Sequence, residues 1–376
     1  MDNAREYQIC TRCIMDTSDP DIQFDDQGIC NHCKKWHMRA ENELFHGEDA
    51  RIRLENSVKK IKEQGLGKEY DCVIGVSGGV DSTTVAYHVK KLGLRPLAVH
   101  LDNGWNSELS VQNIQHTLNK LGIELYTHVM DWSEFKDLQL SFLKASVINA
   151  EIPTDHAIVA LLYHTAARLG VRYVISGGNI NTEGIMPESW CYNARDLRHV
   201  MGVHDRFGIK TLKTFPKISL FHWVYYTFGK GIKFWPILNY LSYNKEEAKQ
   251  LLKSELGWRE YGYKHYESIY TRFYQGYILY KKFNVDKRRA HLSTLICSGE
   301  ITRSEALKDL DNEPYPLEQM EQDKEYVSKK LGLTVKDFDA IMELPCHSHL
   351  DYPNSKVLYD KLAFFVQRAK YRATKI

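Results

Sequence analysis

The sequence predicts a doubly wound α/β fold, a parallel sheet covered on both faces, with a four-cysteine module ahead of it and a mainly helical region behind. Three observations lead there. Between residues 70 and 176, apolar runs of strand length alternate with 3.6-residue helical patterns. Two C-x-x-C pairs sit close to the start. Beyond about residue 190 the alternation is lost, Tyr, Phe and Trp become frequent, and from 245 onward the pattern reads as helices. The expected divisions are 1–47 for the cysteine module, 48–190 for the α/β domain, and 191–376 for an aromatic-rich, mainly helical region that binds substrate.

In the first element, Cys10-x2-Cys13 and Cys30-x2-Cys33 are separated by 16 residues, a spacing that offers four thiolates to one zinc. So short a module has few large apolar groups, and the metal substitutes for a core. Four thiolates leave no open position for water, so the zinc is read as structural; a redox pair or an iron–sulfur cluster is the alternative. His32 reads as a surface residue. A helix over 48–63 then links the module to the sheet.

The stretch 70–84 joins an apolar strand to a helix through Gly78 and Gly79, with Ser77, Val80, Asp81 and Ser82 around them. The glycines let the backbone turn tightly beside a helix N-terminus with unpaired N–H groups, which makes a phosphate cradle. A nucleotide is the anion that fits best. Neither G-x-x-x-x-G-K-[ST] nor G-x-G-x-x-G after a strand occurs in the chain. Asp81 either caps the helix or holds a Mg²⁺ that bridges to phosphates.

Val85, Val89 and Leu92 mark the helix that follows; a strand at 96–101, a helix carrying Val111, Ile114, Leu118 and Leu121, and a strand at 123–129 come next. Further helices, the last over 155–169, lead to a strand at 171–176. On such sheets ligands sit beyond the carboxyl ends of the strands. There the Ser77 loop, the Asp102-Asn103 loop and the Ser176-Gly177-Gly178-Asn179 loop converge, with Glu183 close behind. Asp102 and Asn103 either meet the nucleoside or close an Asx turn, and Gly177, Gly178 and Asn179 also fit a plain Gly-Asn turn.

In the last region 264–275 is read as a helix, with Lys264, Glu267 and Thr271 on one side and Arg272 and Gln275 on others, a pattern suited to lining a polar cavity. Arg288 and Arg289 are spaced to clamp a carboxylate or diphosphate. Cys346 and His349 lack further ligands for a second metal. A formal charge of +2 argues against nucleic acid as a partner, and no run of 18 apolar residues predicts a membrane span. With no apolar signal core at its start, the chain is expected to be cytoplasmic.

Ser77-Gly-Gly-Val-Asp-Ser82 resembles the signature of the PP-loop ATP pyrophosphatases, of the adenine nucleotide alpha hydrolase type. Those enzymes split ATP between the α and β phosphates and activate a carbonyl oxygen with the adenylyl group. Together with the two cysteine pairs, Ile152-Pro-Thr-Asp155, Ser176-Gly-Gly-Asn179 with Thr182-Glu-Gly184, and Lys264-His-Tyr-Glu-Ser268 through Asp286-Lys-Arg-Arg289, the chain resembles the N-acetyl sugar amidotransferases of surface polysaccharide and flagellin sugar synthesis. The resemblance implies conversion of the acetamido group of an N-acetyl sugar, often nucleotide-linked, to an acetamidino group, with ATP, Mg²⁺, Zn²⁺ and ammonia. The expected catalytic residues are Asp81, Lys264 and Arg288. Nucleotide binding is expected from Ser77, Gly78, Gly79, Val80, Asp81, Ser82, Asp102, Gly177 and Asn179, and zinc binding from Cys10, Cys13, Cys30 and Cys33. No segment reads as a glutaminase, so separate glutaminase and cyclase-like subunits, similar to those of imidazole glycerol phosphate synthase, are expected to supply ammonia. A tRNA thiolase is the rival enzyme; it needs reactive cysteines at the crevice, where Cys72 and Cys191 are the candidates. A nucleotide-sensing adaptor without catalysis is the non-enzymatic rival.

Overall fold

The computed structural model describes residues 6–261 and 266–362. After the cysteine module come helices α1 (Asn31–Glu43) and α2 (Gly47–Gln64), then β1 (Cys72–Gly75), α3 (Val80–Lys91), β2 (Pro96–Asp102), α4 (Glu108–Leu121), β3 (Glu124–Val129), α5 (Trp132–Ala145), α6 (Ile152–Leu169), β4 (Tyr173–Ser176) and the short α7 (Ile180–Glu183). A fifth strand, β5 (Lys233–Pro236), completes the sheet in the order β3-β2-β1-β4-β5, every neighbour parallel.

Strand periodicity of two sorts side chains to the two faces. Val73, Leu97, Val99 and Val174 point into one core with Phe135 and Phe142 of α5 and Leu161 of α6. Cys72, Ile74, Ala98 and Ile175 point into the other with Val85 and Val89 of α3 and Leu118 of α4. The sheet is thus doubly wound, as its apolar runs predict. The chain moves outward from β1 in both directions, so a crevice opens between the carboxyl ends of β1 and β4.

Two expectations are corrected. The division at 190 does not separate units, because β5 comes from beyond it and pairs with β4 through Val174↔Phe234 and Ile175↔Trp235. The helix expected from 264 begins at Ile269: Ser268 is its N-cap, accepting from the Thr271 amide (3.3 Å), and Glu267 lies in the turn before it. Ser268 is held by an antiparallel bridge to Asn106, flanked by Ser107 N–H to Glu267 O (2.9 Å) and Ile269 N–H to Trp105 O (2.9 Å). This fastens the last region onto the loop after β2.

Three buried histidines join these layers in neutral form. His156 lies between Ala194 O (2.7 Å) and the Ile218 amide (3.1 Å), and His349 meets His199 at 3.0 Å while accepting from the Asn149 amide (3.2 Å). Burial pushes His156 and His199 down to about 4 and His349 to about 3. Unfolded histidines bind protons already below about pH 6.5, so protonation favours the unfolded chain throughout the interval between that value and the folded ones. Stability is therefore expected to fall as pH drops from about 6.5 towards 4, by on the order of 2 kcal/mol per histidine. Thermal melting across that range, with metal content followed in parallel, checks this; a flat melting temperature contradicts it.

Candidate functional site

The loop between β1 and α3 turns through Gly78 at φ +82°, where a Cβ would lie 2.8 Å from Ser110 O. Its carbonyl accepts from Trp258 Nε1 (2.9 Å) and the Tyr261 hydroxyl (2.5 Å), which fixes the turn from the far side. Ser82 Oγ accepts from the Ser77 amide (3.2 Å), and Ser77 Oγ accepts from the Gly79 amide (3.3 Å). Gly79 precedes the helix without any side-chain cap. On the opposite wall a Cβ on Gly177 would stand 3.2 Å from the Asp81 carbonyl carbon and 3.3 Å from the Ser82 amide, so a side chain there would press the β4 loop away from the start of α3 by a small shift.

A cavity of about 220 Å³ lies on these residues, lined also by Asp81, Glu183, Lys245, Lys249 and Glu267. A second, of about 410 Å³, shares Ser77, Ser82, Gly177 and Glu267 with it and extends past Asn103 to Glu151, Asp155, Gln275 and Lys287. The two form one crevice. Lysines supply positive charge for phosphates, and backbone N–H groups at the start of α3 add to it.

Asp81 does not cap the helix. It sits in the first turn of α3, lines the cavity, and accepts from the Tyr243 hydroxyl. Burial, then the charge of Asp81, pushes that phenol well up and keeps it a donor. Hard carboxylate oxygens at Asp81, Glu183 and Glu267 suit Mg²⁺, which takes one or two carboxylates and completes its shell with phosphate oxygens and water.

Other expected positions behave differently. Asp102 accepts from the Gly104 amide (2.9 Å) and Asn106 Nδ2 (3.3 Å), an Asx turn, while Asn103 and Asn106 line the crevice. Asn179 caps α7 and donates to Gly177 O (3.1 Å), ordering the glycine loop from behind. Arg288 is saturated: it pairs with Asp286 (2.7 Å) and donates to Asp309 O (3.2 Å) and Asn312 O (2.9 Å), leaving no fork for a ligand. Arg289 binds Ile14 O and Asp16, both at 3.0 Å. Lys264 lies outside the described residues. Cys72 is buried in the core and Cys191 donates to Pro187 O (3.4 Å); no cysteine is among the described residues lining the crevice.

Asp155 was part of a motif but not a predicted site residue. From the first turn of α6 it projects into the larger cavity, walled by protein yet reached by water. Its side chain is exposed to the cavity's solvent; the protein walls around it and then the charge of Glu151 one turn earlier raise its carboxyl, to about 7, against the opposing charge of Lys287. Glu151 itself accepts from Gln275 (3.2 Å). The available signal was an acidic pair four residues apart at a helix start.

Cys10, Cys13, Cys30 and Cys33 bring their sulfurs within 4.8 Å of one another, all buried. Cys10–Cys33 and Cys13–Cys30 separations of 3.9 and 3.7 Å match the edge, about 3.8 Å, of a tetrahedron with zinc–sulfur bonds of about 2.3 Å. Amides of Arg12, Cys13 and Cys30 point at Cys10 Sγ (3.3–3.4 Å), stabilising thiolate charge. The cluster suggests zinc. His32 is not a ligand and not a surface residue either: it pairs with buried Asp19 at 2.6 Å.

Two family models match the chain: "Queuosine biosynthesis protein QueC" over residues 71–161, and "LPS biosynthesis protein WbpG-like, C-terminal domain" over 267–366. The chain joins a QueC-like PP-loop domain to a WbpG-like C-terminal domain. The PP-loop implies ATP as its nucleotide. No curated protein sequence matches the chain. Among solved structures, NMN synthetase from Francisella tularensis is 17% identical, covering 57% of this chain and 94% of that one, with a TM-score of 0.30. NH3-dependent NAD synthetase from Campylobacter jejuni is 18% identical (55% and 84% covered, TM-score 0.30). A predicted subunit of tRNA methyltransferase from Methanocaldococcus jannaschii is 16% identical (48% and 74%, TM-score 0.28). Nothing about activity follows from likeness at this level.

The WbpG-like region begins at Glu267, the residue that reaches the PP-loop, so both domains furnish one crevice and the chain is an ATP-using enzyme of the PP-loop type in LPS biosynthesis. No helix of the described residues is long and apolar enough to cross a membrane.

Purified protein is expected to contain one zinc per chain, and Cys13→Ser to lose both metal and soluble yield; elemental analysis showing iron, or a fully folded metal-free protein, contradicts this. Gly78→Ala forces an L-residue to positive φ against Ser110 O, at a cost of roughly 1–3 kcal/mol. It is expected to abolish ATP binding by calorimetry and to lower the melting temperature; retained affinity would overturn the geometry assigned to the loop.

Proposed function

We propose that the chain is an ATP-dependent amidotransferase that converts the acetamido group of a nucleotide-linked N-acetyl sugar to an acetamidino group, in the making of LPS O-antigen or flagellin glycan. The observation that carries this reading is the single crevice built by PP-loop and WbpG-like residues together, with carboxylates rather than thiols in its walls. Among the described residues a thiolase would have no cysteine to use there.

In this reading the amide oxygen attacks the α-phosphorus of ATP and pyrophosphate leaves from the Ser77–Ser82 loop. The loop amides, Lys245 and Lys249 take up the charge of the departing group. Asp81 would hold the Mg²⁺, which neutralises phosphate charge when bound. Ammonia adds to the carbon of the adenylylated amide, and AMP is expelled as the amidine forms. Ammonia arrives largely as ammonium, so a proton must leave before attack. Asp155, beside Glu151 in the larger cavity, would hold ammonium and take that proton, a role its raised carboxyl supports. Ammonia comes from outside this chain, through separate glutaminase and cyclase-like subunits.

The test is incubation with ATP, ammonium and a panel of nucleotide-linked N-acetyl sugars, following nucleotide products and sugar mass. AMP, pyrophosphate and replacement of one oxygen by NH in the sugar are expected, without need of glutamine. Release of ADP and orthophosphate, or efficient use of glutamine by the chain alone, would contradict the proposal. Asp155→Asn is expected to lower turnover on the order of 100-fold and to flatten the pH–rate profile near 7 while leaving ATP affinity unchanged. A wild-type profile in that variant removes Asp155 from the mechanism.

A further inference from the structure

The stretch 208–235 contains five lysines and eight aromatic residues and no Asp or Glu. Its helical part runs from Leu220–Val224 into a π-turn, Tyr225–Gly229. The inner side is anchored: Trp223 packs on Tyr359 (5.9 Å) under the Arg195 guanidinium (4.8 Å), and Tyr226 stacks on Tyr163 (6.0 Å) and meets His164 Nδ1 at 2.9 Å. The outer side is not apolar by accident of one residue. Phe221, Tyr225 and Phe228, spaced by four and three, are 75%, 48% and 56% exposed. Phe234, 38% exposed, packs on the same buried Tyr163 ring, at 5.0 Å, on which Tyr226 stacks. Lys230 lies 5.9 Å from the Tyr225 ring, and Lys230 and Lys233 are both exposed on the strand side of the stripe.

Large aromatic rings left in water beside lysines, in a stretch that carries no carboxylate of its own, join apolar area to positive charge. A folded protein partner of mixed surface has no special claim on that combination. An anionic bilayer does: rings enter the headgroup boundary while lysines meet lipid phosphates. We propose that this face docks the chain on the surface of a membrane rich in anionic phospholipid. Phe234 also lines the larger cavity, so docking sets the mouth of the crevice at headgroup level. The proposal stands independently of the reaction assigned to the crevice.

The experiment is co-sedimentation of the full chain with vesicles of equal parts phosphatidylglycerol and phosphatidylcholine, against phosphatidylcholine alone, at low and high salt. Binding to the anionic vesicles only, weakened by salt, is expected. Phe221→Ser/Tyr225→Ser/Phe228→Ser should abolish it, and Lys230→Glu/Lys233→Glu should weaken it by at least tenfold, on the basis of roughly fivefold per surface lysine. Melting temperature and ATP binding of both variants report folding, and the lysine variant, altering exposed side chains, keeps the test open if the aromatic one fails to fold. Absence of binding to anionic vesicles, or equal binding by wild type and the lysine variant, overturns the proposal. So does a concentration-dependent oligomer that the aromatic substitutions dissolve without any vesicle binding, which would assign the face to a protein contact.

Discussion

The four-thiolate cluster is the constraint on which the placement of the crevice walls rests. The module holding it buries Ile14, Met15 and Ile22 besides its four cysteines, and ligation of the sulfurs would fix the turns between them. Once set, its backbone is read by the rest of the chain. Arg303 donates to Cys13 O and Cys10 O, both at 3.0 Å, and the Ile14 amide donates to Ser293 (3.2 Å). Trp36, on the helix that starts at the last cysteine pair, donates to Ile180 O (3.0 Å), and Arg39 donates to Gly184 O (3.2 Å). Gly184 has no room for a side chain, since a Cβ would lie 2.4 Å from the Trp36 ring. The module therefore clamps the segment after β4, and that segment brings Gly177 against the first turn of α3. The cysteine module thus lies behind one wall of the crevice and supports it.

Within the crevice the problem is to hold a polyanion beside carboxylates. Lys249 is already bound to Glu246 and Glu260, each at 2.7 Å, so it is presented as part of a fixed network and not as a loose cation. The Gly78 carbonyl is occupied by Trp258 Nε1 and the Tyr261 hydroxyl. Both arrangements spend local freedom on a preorganised field, and this is what electrostatic catalysis of a leaving pyrophosphate requires.

The doubly wound core was legible because strands buried on both faces must be continuously apolar, and the loop was legible because Gly78 has only one kind of residue that fits it. What the sequence hid was decided by distant partners. β5 is four residues long, begins with an exposed lysine and follows an aromatic stretch, so no period marks it; only pairing with β4 makes it a strand. The helix start at Ile269 is set by the bridge to Asn106, more than 150 residues away, against an unbroken helical pattern from 264. Arg288 is the opposite case. Its partner, Asp286, stands two residues away in the sequence, and local pairing outcompeted the ligand imagined for it.

The division between the two matched families also explains how a common loop acquires a particular chemistry. The PP-loop side supplies glycines, hydroxyls and helix N–H groups, which hold phosphates irrespective of the acceptor. The larger cavity is lined from both matched regions: Glu267, Ser268, Thr271 and Gln275 from the WbpG-like one, Glu151 and Asp155 at the start of α6 from the QueC-like one. Because Glu267 to Ile269 are bonded directly to the loop after β2, the acceptor wall cannot shift without the sheet edge shifting too. This wall is covalently remote from the ATP signature but mechanically part of it: Glu267 lines the cavity over the PP-loop and the larger one beside it.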